Sequence, residues 1–204
     1  MKFFISLFIL VIVVSCSTSQ KNEIVIQELD YPEELNVITR EAWGSAPLTK
    51  TLPQHEINKI TLHHSGVEFK DQENVLTKIK NLQSWSRSEK EWIDIPYHFM
   101  IDLEGNIYEG RPINYPGATN TEYDPIGHAL IEVMGNYEVQ KINDKQLKAV
   151  IDLSAYLAQE FNVPAEEIKG HKDYSSQTVC PGEDLYKYLA DGTIVAGVRE
   201  RIEK

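Results

Sequence analysis

Three potential ligands for a soft divalent metal sit near the ends of separate segments. They are His63 or His64 closing an apolar run, His171 in Lys169-Gly-His-Lys-Asp173, and Cys180 in Val179-Cys-Pro-Gly182. A catalytic zinc site uses three protein ligands and keeps a fourth position open, and imidazole with one thiolate suits that ion. His171 and Cys180 are nine residues apart across the polar stretch Asp173-Tyr-Ser-Ser-Gln-Thr178, which can fold back so that both converge. Glu132 is a candidate of another kind. It is the single charge in the apolar run 129–134 and shares a strand face with Leu130 and Met134. A lone carboxylate there is costly unless it is paired or lies near a metal.

These residues need elements to position them. Ile57-Asn-Lys-Ile-Thr-Leu62, with Pro53 before it and Gly66 after it, reads as a strand ending at His63-His64-Ser65. Val75, Leu76, Ile79 and Leu82 recur at helical spacing over 71–84, with Asp71 as the expected cap. Residues 96–101 read as a strand, and Glu104-Gly-Asn106 turns the chain into Ile107-Tyr108 as a hairpin. The run 129–134, between Gly127 and Gly135, has the pattern of a buried central strand. Asn143 with Gln146 forms a capping pattern, and Leu147, Val150, Ile151, Leu157, Ala158 and Phe161 make one helical face before Pro164. A last short helix after Pro181 carries Leu185, Tyr188 and Leu189. Helices interleaved with a mixed sheet give an α/β architecture of about 150 residues, enough for one good core.

The chain ends read differently. Residues 1–15 carry one positive charge and then an apolar run, too short to span a bilayer of about 30 Å but fitting a signal-peptide core. The run closes on Val13-Val14-Ser15-Cys16, which resembles a bacterial lipoprotein lipobox with Cys16 as the acylated mature terminus. The alternative is an ordinary secretory peptide with an incidental cysteine. Residues 16–36 read as a tether with a short strand at 24–29, and residues 191–204 as a C-terminal tail. The 204-residue chain has a formal net charge of −11, which argues against nucleic-acid partners. The expected assembly is a monomer, exported and anchored to a lipid membrane through Cys16, periplasmic or facing the outer membrane. With Cys16 read as the lipidated terminus and Cys180 as a candidate metal ligand, no disulfide is expected.

Six motifs, in order, carry a family resemblance: Ile38-Thr-Arg-Glu-Ala-Trp-Gly44, Leu62-His-His-Ser65, Trp92-Ile-Asp-Ile-Pro-Tyr-His-Phe99, Gly105-Asn-Ile-Tyr-Glu-Gly-Arg111, Gly170-His171 and Cys180-Pro-Gly182. Over residues 37–190 they resemble the type 2 N-acetylmuramoyl-L-alanine amidases, a family that includes peptidoglycan recognition proteins and amidase-type phage lysozymes. The resemblance implies a single amidase domain with a central mixed β-sheet flanked by helices. It also implies a zinc groove that cleaves between the lactyl group of N-acetylmuramic acid and L-alanine in peptidoglycan or muropeptides.

Carried over by position, the zinc ligands are His63, His171 and Cys180, and His64 turns to the other strand face as a structural residue. Such a site is net +1, enough to acidify a water toward a pKa of about 7. Tyr97 matches a tyrosine that assists the attacking water or the oxyanion. Glu132 resembles the general base of the branch close to cytoplasmic anhydromuropeptide amidases. Thr178 stands where the family has a lysine or threonine that stabilises the tetrahedral intermediate. Arg111 is a candidate to face substrate, weighed against a solvated surface group, and Trp85 and Trp92 are candidates to border a sugar-binding groove, weighed against core packing.

Several positions depart from the pattern. Pro96 replaces a commoner glycine, the interval from His171 to Cys180 is one residue longer than in many relatives, Ser86 stands where recognition proteins often have histidine, and Asp124-Pro-Ile-Gly-His128 reads as inserted. Two further readings stay open: a non-catalytic peptidoglycan-binding module, and an antibacterial amidase effector.

Overall fold

A computed structural model describes residues 24–70 and 73–203. Its centre is a six-stranded mixed sheet built from β1 (Val37–Ile38), β2 (Lys59–His64), β3 (Phe99–Ile101), β4 (Ile107–Glu109), β5 (His128–Val133) and β6 (Ile168–Gly170). The strand order is β1-β4-β3-β5-β2-β6; β3 and β4 form the antiparallel hairpin and the other neighbours run parallel. Strands β2 and β5, the longest, lie in the middle and set Thr61 beside Leu130 and His63 beside Glu132.

Side chains alternate across these strands, so each feeds two different environments. Ile60 and Leu62 of β2, Ile131 and Val133 of β5, and Phe99 and Ile101 of β3 join one apolar core. That core is closed by helix α3 (Asp144–Glu160), whose Val150, Leu153 and Leu157 are fully buried. Burying a side chain of this size stabilises by about 1.5–3 kcal/mol, so three successive turns hold the sheet firmly. The helix begins where the sequence places it, with the Asn143 side chain accepting the Gln146 N–H.

The opposite sheet face carries two short helices, α1 (Arg40–Trp43) and α2 (Val75–Ser88), over a smaller cluster that includes Trp43, Ile79, Ile95 and Met100. Asp71, the expected cap of α2, lies outside the described residues; Asn74 caps the helix and accepts the Thr77 N–H. Helix α4 (Glu183–Ala190) follows Pro181 as expected.

Two expectations for the chain ends are corrected. Within the expected tail, helix α5 (Thr193–Ile202) packs on α3 and buries Ile194 and Val198, spaced one helical turn apart. Gly197 allows the approach, since a Cβ there would meet Ile151 Cγ2 at 3.0 Å. Residues 24–29 are not a strand. Instead the Asn114 side chain holds this stretch, accepting the Gln27 N–H and donating to the Val25 carbonyl. Leu29 and Tyr31 then pack on the main core, so this stretch belongs to the folded domain rather than to a tether reaching residue 36. Among the described residues, no helix is long and apolar enough to cross a membrane.

Candidate metal centre and groove

On the face away from α3 lies a groove of about 530 Å³. Four sequence-assigned chemical groups meet on it: His63 from the end of β2, Glu132 from β5, His171 just after β6, and Cys180 from the loop before α4. One ligand atom from each of His63, His171 and Cys180 lies within 4.8 Å of the others. His63 Nδ1 stands 3.6 Å from Cys180 Sγ, and the His63 and His171 ring centroids are 4.5 Å apart.

The donor set fits zinc. Tetrahedral zinc with its usual bond lengths separates a bound nitrogen from a bound sulfur by about 3.5–3.6 Å, the spacing seen between His63 and Cys180. Burial holds the His63 pKa well below the ordinary histidine value and His171 at about 4, so both rings are neutral and free to ligate near pH 7. Burial pushes the Cys180 thiol up to about 12, with the His64 N–H donated to its sulfur at 3.3 Å working against that rise. A thiol this reluctant to ionise alone would become a thiolate when a bound metal displaced its proton to solvent.

Backbone constraints bring Cys180 in. Lys172 N–H donates to the Cys180 carbonyl, and Gly170 leaves room for the turn, since a Cβ there would come within 2.7 Å of Pro181 Cδ. Thr178 lines the groove, and its hydroxyl accepts the Cys180 N–H at 3.1 Å, a bond that leaves its own proton free to donate. His64, the alternative ligand, lines the groove but is not one of the three grouped ligands: its Nδ1 accepts the Tyr137 N–H and its ring packs on the Tyr137 ring.

Glu132 is almost fully buried, and this burial raises its pKa to about 7 against the lowering effect of a hydrogen bond from Ser65. A carboxylate that titrates near neutrality can both take and return a proton there. Tyr97 faces the same space, with its ring 5.2 Å from that of His63. Burial first, and then the neighbouring Glu132 and Cys180, raise its phenol well above the ordinary value, so it stays a proton donor.

The position of Tyr97 is imposed from beneath. Its carbonyl accepts the Arg111 N–H, and Gly110 runs so close that a Cβ would sit 2.3 Å from that carbonyl oxygen. Arg111 itself is corrected. It does not face substrate: it is buried, and its guanidinium donates to the carbonyls of Asp94, Ile95 and Pro116. Three inward-turned carbonyls need a planar group with several donors, and arginine supplies one. Asp94, also buried, pairs with Arg40 at 2.6 Å and Arg87 at 3.1 Å, which pins the approach to Pro96 and Tyr97. Trp85 and Trp92 line the groove wall with rings edge to face at 6.0 Å, and Trp85 is 41% exposed. Ser86, by contrast, is buried within α2 and absent from the lining.

Sequence reasoning missed residues 121–123. Thr121 Oγ1 lies 2.7 Å from His171 Nε2, the Tyr123 hydroxyl lies 3.3 Å from His63 Nε2, and the Glu122 carboxylate accepts from Ser175 and Ser176 on the ligand loop. No periodicity or charge pattern marks them; only the folded loop brings them to the site. His128, in the segment read as inserted, contacts Thr61 Oγ1 at 2.8 Å and stays behind the ligands.

A family model described as N-acetylmuramoyl-L-alanine amidase matches residues 53–183. Peptidoglycan recognition protein 1 of Bos indicus is 30% identical over 158 residues, which is 76% of this chain and 82% of that protein. Among solved structures, the Drosophila peptidoglycan recognition protein SD aligns with a TM-score of 0.67 at 26% identity, covering 75% of this chain and 92% of the other. The N-acetylmuramoyl-L-alanine amidase LysC of Clostridium intestinale aligns with a TM-score of 0.60 at 26% identity, over 77% and 95%. A complex of peptidoglycan recognition proteins LCa and LCx with tracheal cytotoxin aligns with a TM-score of 0.67 at 27% identity, over 75% and 93%.

Proposed function

Because this chain belongs to the N-acetylmuramoyl-L-alanine amidase family, we propose that it is a zinc-dependent hydrolase. Its target is the amide between N-acetylmuramic acid and L-alanine in peptidoglycan or muropeptides. The observation that carries the reading is the convergence of His63, His171 and Cys180 with Glu132 and Tyr97 on one groove. A module that only binds wall fragments has no use for a carboxylate buried beside three ligand atoms, since burying it costs stability.

His63, His171 and Cys180 would hold the ion. Zinc supplies Lewis acidity there, lowering the pKa of water and polarising the scissile carbonyl. Glu132 takes a proton from the attacking water as its oxygen bonds to the carbonyl carbon. The Tyr97 hydroxyl donates to the oxyanion that forms, and Thr178 adds a second donor from the ligand loop. Glu132 then returns its proton to the departing nitrogen, the C–N bond breaks, and the products are a lactyl carboxylate and a free L-alanine amine. Trp85 and Trp92 offer a flat aromatic wall on which a sugar ring can stack.

The same reading has the protein exported and anchored through acylated Cys16, as a monomer working on cell-wall material. The mass of the mature amino terminus checks the anchor. The activity is checked by mass spectrometry of products from defined muropeptides, with a strong chelator and after zinc is restored. Cleavage at the lactyl-alanine amide that stops with chelator and returns with zinc is expected. Equal cleavage in chelator overturns the metal mechanism, and tight muropeptide binding without turnover by the zinc-loaded protein favours a binding module.

A further inference from the structure

Residues Thr121, Glu122 and Tyr123 are consecutive, and each reaches a different part of the ligand set. Thr121 meets His171, Tyr123 meets His63, and Glu122 ties down the loop between His171 and Cys180 through the Ser175 hydroxyl at 2.5 Å and the Ser176 N–H at 3.1 Å. Both histidine contacts are made to Nε2. On His63 the opposite ring nitrogen, Nδ1, is the one beside Cys180 Sγ. The His63 ring is therefore held on the nitrogen away from Cys180, and on His171 the Thr121 contact takes Nε2 and leaves Nδ1 as the nitrogen for a metal.

We infer that residues 121–123 are a positioning clamp: the Thr121 and Tyr123 hydroxyls accept hydrogen bonds from the Nε2–H groups of His171 and His63. Both imidazoles are thereby fixed in the tautomer that leaves Nδ1 bare for the metal. This rests on the proposed zinc site and adds the residues that orient it. A hydroxyl can accept in this way when its own proton is used elsewhere, and Thr121 has such an outlet in the Thr119 hydroxyl at 2.8 Å. Thr119 in turn accepts the Thr121 N–H at 3.1 Å, so the segment is held locally before it touches the histidine. Tyr123 is braced by its ring, stacked on Tyr174 at 5.9 Å. Partners of this type fix ring orientation and strengthen ligand basicity.

The test measures zinc affinity directly, by competition with a chromophoric chelator, in the wild type, Thr121→Val, Thr121→Ser and Tyr123→Phe. Thr121→Val and Tyr123→Phe should each weaken zinc about 10–100-fold, while Thr121→Ser, which keeps the acceptor, should bind as the wild type does. In the zinc-loaded wild type, nitrogen-15 NMR of the imidazoles should show Nε2 protonated and Nδ1 bare on both His63 and His171, a measurement that holds even if a variant fails to fold. Nδ1–H on either ring overturns the clamp. So does zinc affinity unchanged in Thr121→Val and Tyr123→Phe, or equal loss in Thr121→Ser and Thr121→Val. A wild type that binds no zinc at all brings down the proposed function as well, which separates the two failures.

Discussion

The two faces of the central sheet are made from the same strands and share almost no chemistry. Toward α3, β2 and β5 send Ile60, Leu62, Ile131 and Val133 into a continuous apolar core; on the other side His63 and Glu132 reach the groove, with Thr61 and Leu130 buried beneath it. The first face is held by area removed from water, which tolerates changes that conserve volume. The second is held by individual hydrogen bonds to buried polar atoms, where a single missing partner is expensive. Strand alternation thus lets one face supply rigidity while the other stores groups that would prefer to be solvated.

That separation can be broken most strongly at Glu132. Glu132→Gln should lower kcat by about 10²–10⁴-fold, measured on muropeptides, with zinc binding retained. The same variant sharpens the stability side. Unfolded glutamate ionises near 4.5, whereas the folded group keeps its proton to about 7, so burial favours the fold below 4.5 and that advantage fades as pH rises to about 7. In metal-free protein this fading amounts to about 3 kcal/mol. Urea unfolding across that range should show Glu132→Gln lacking the slope. Buried histidines such as His98, lowered to about 3, act with the opposite sign below 6.5, so the difference between wild type and variant isolates the glutamate.

On the other face, Leu153→Ala should lower unfolding free energy by about 2–5 kcal/mol through the cavity it leaves, while kcat of the folded fraction stays unchanged. A large fall in kcat there would show that the faces are coupled. The smallest effect is expected where the two meet the ligand loop. Thr178→Val removes the acceptor for the Cys180 N–H and should cost about 1 kcal/mol of stability in thermal unfolding. Since Thr178 also donates toward the reacting carbonyl in the proposed reaction, kcat should fall more than KM rises.

Legibility in the sequence follows the same division. The α3 face was readable because apolar period and caps are local: Asn143 capping Gln146, the run 129–134 and the hairpin at Glu104-Gly-Asn106 each stand as expected. Of the groove, the residues with unusual types in unusual places were readable: three potential ligands at element ends and one charge in an apolar run. Arg111 was misplaced because a guanidinium that serves carbonyls at Asp94, Ile95 and Pro116 looks, in sequence, like any arginine after a turn. Thr121, Glu122 and Tyr123 were missed because their roles depend on loop closure across about fifty residues to His171 and Ser175, which no local pattern encodes. Helix α5 carried a usable signal in Ile194 and Val198, but its apolar face is narrow.

The grip of Asn114 on residues 25 and 27 sets a distance. With an anchor at Cys16, as proposed, eight residues separate the lipid from Ile24, where the described chain begins. Fully extended, they reach roughly 28 Å at most. Had the free segment run to residue 36, it would have reached more than twice as far. With that anchor the groove would be leashed near the bilayer surface, and the wall material within its reach would be the layer nearest the membrane or fragments diffusing past it.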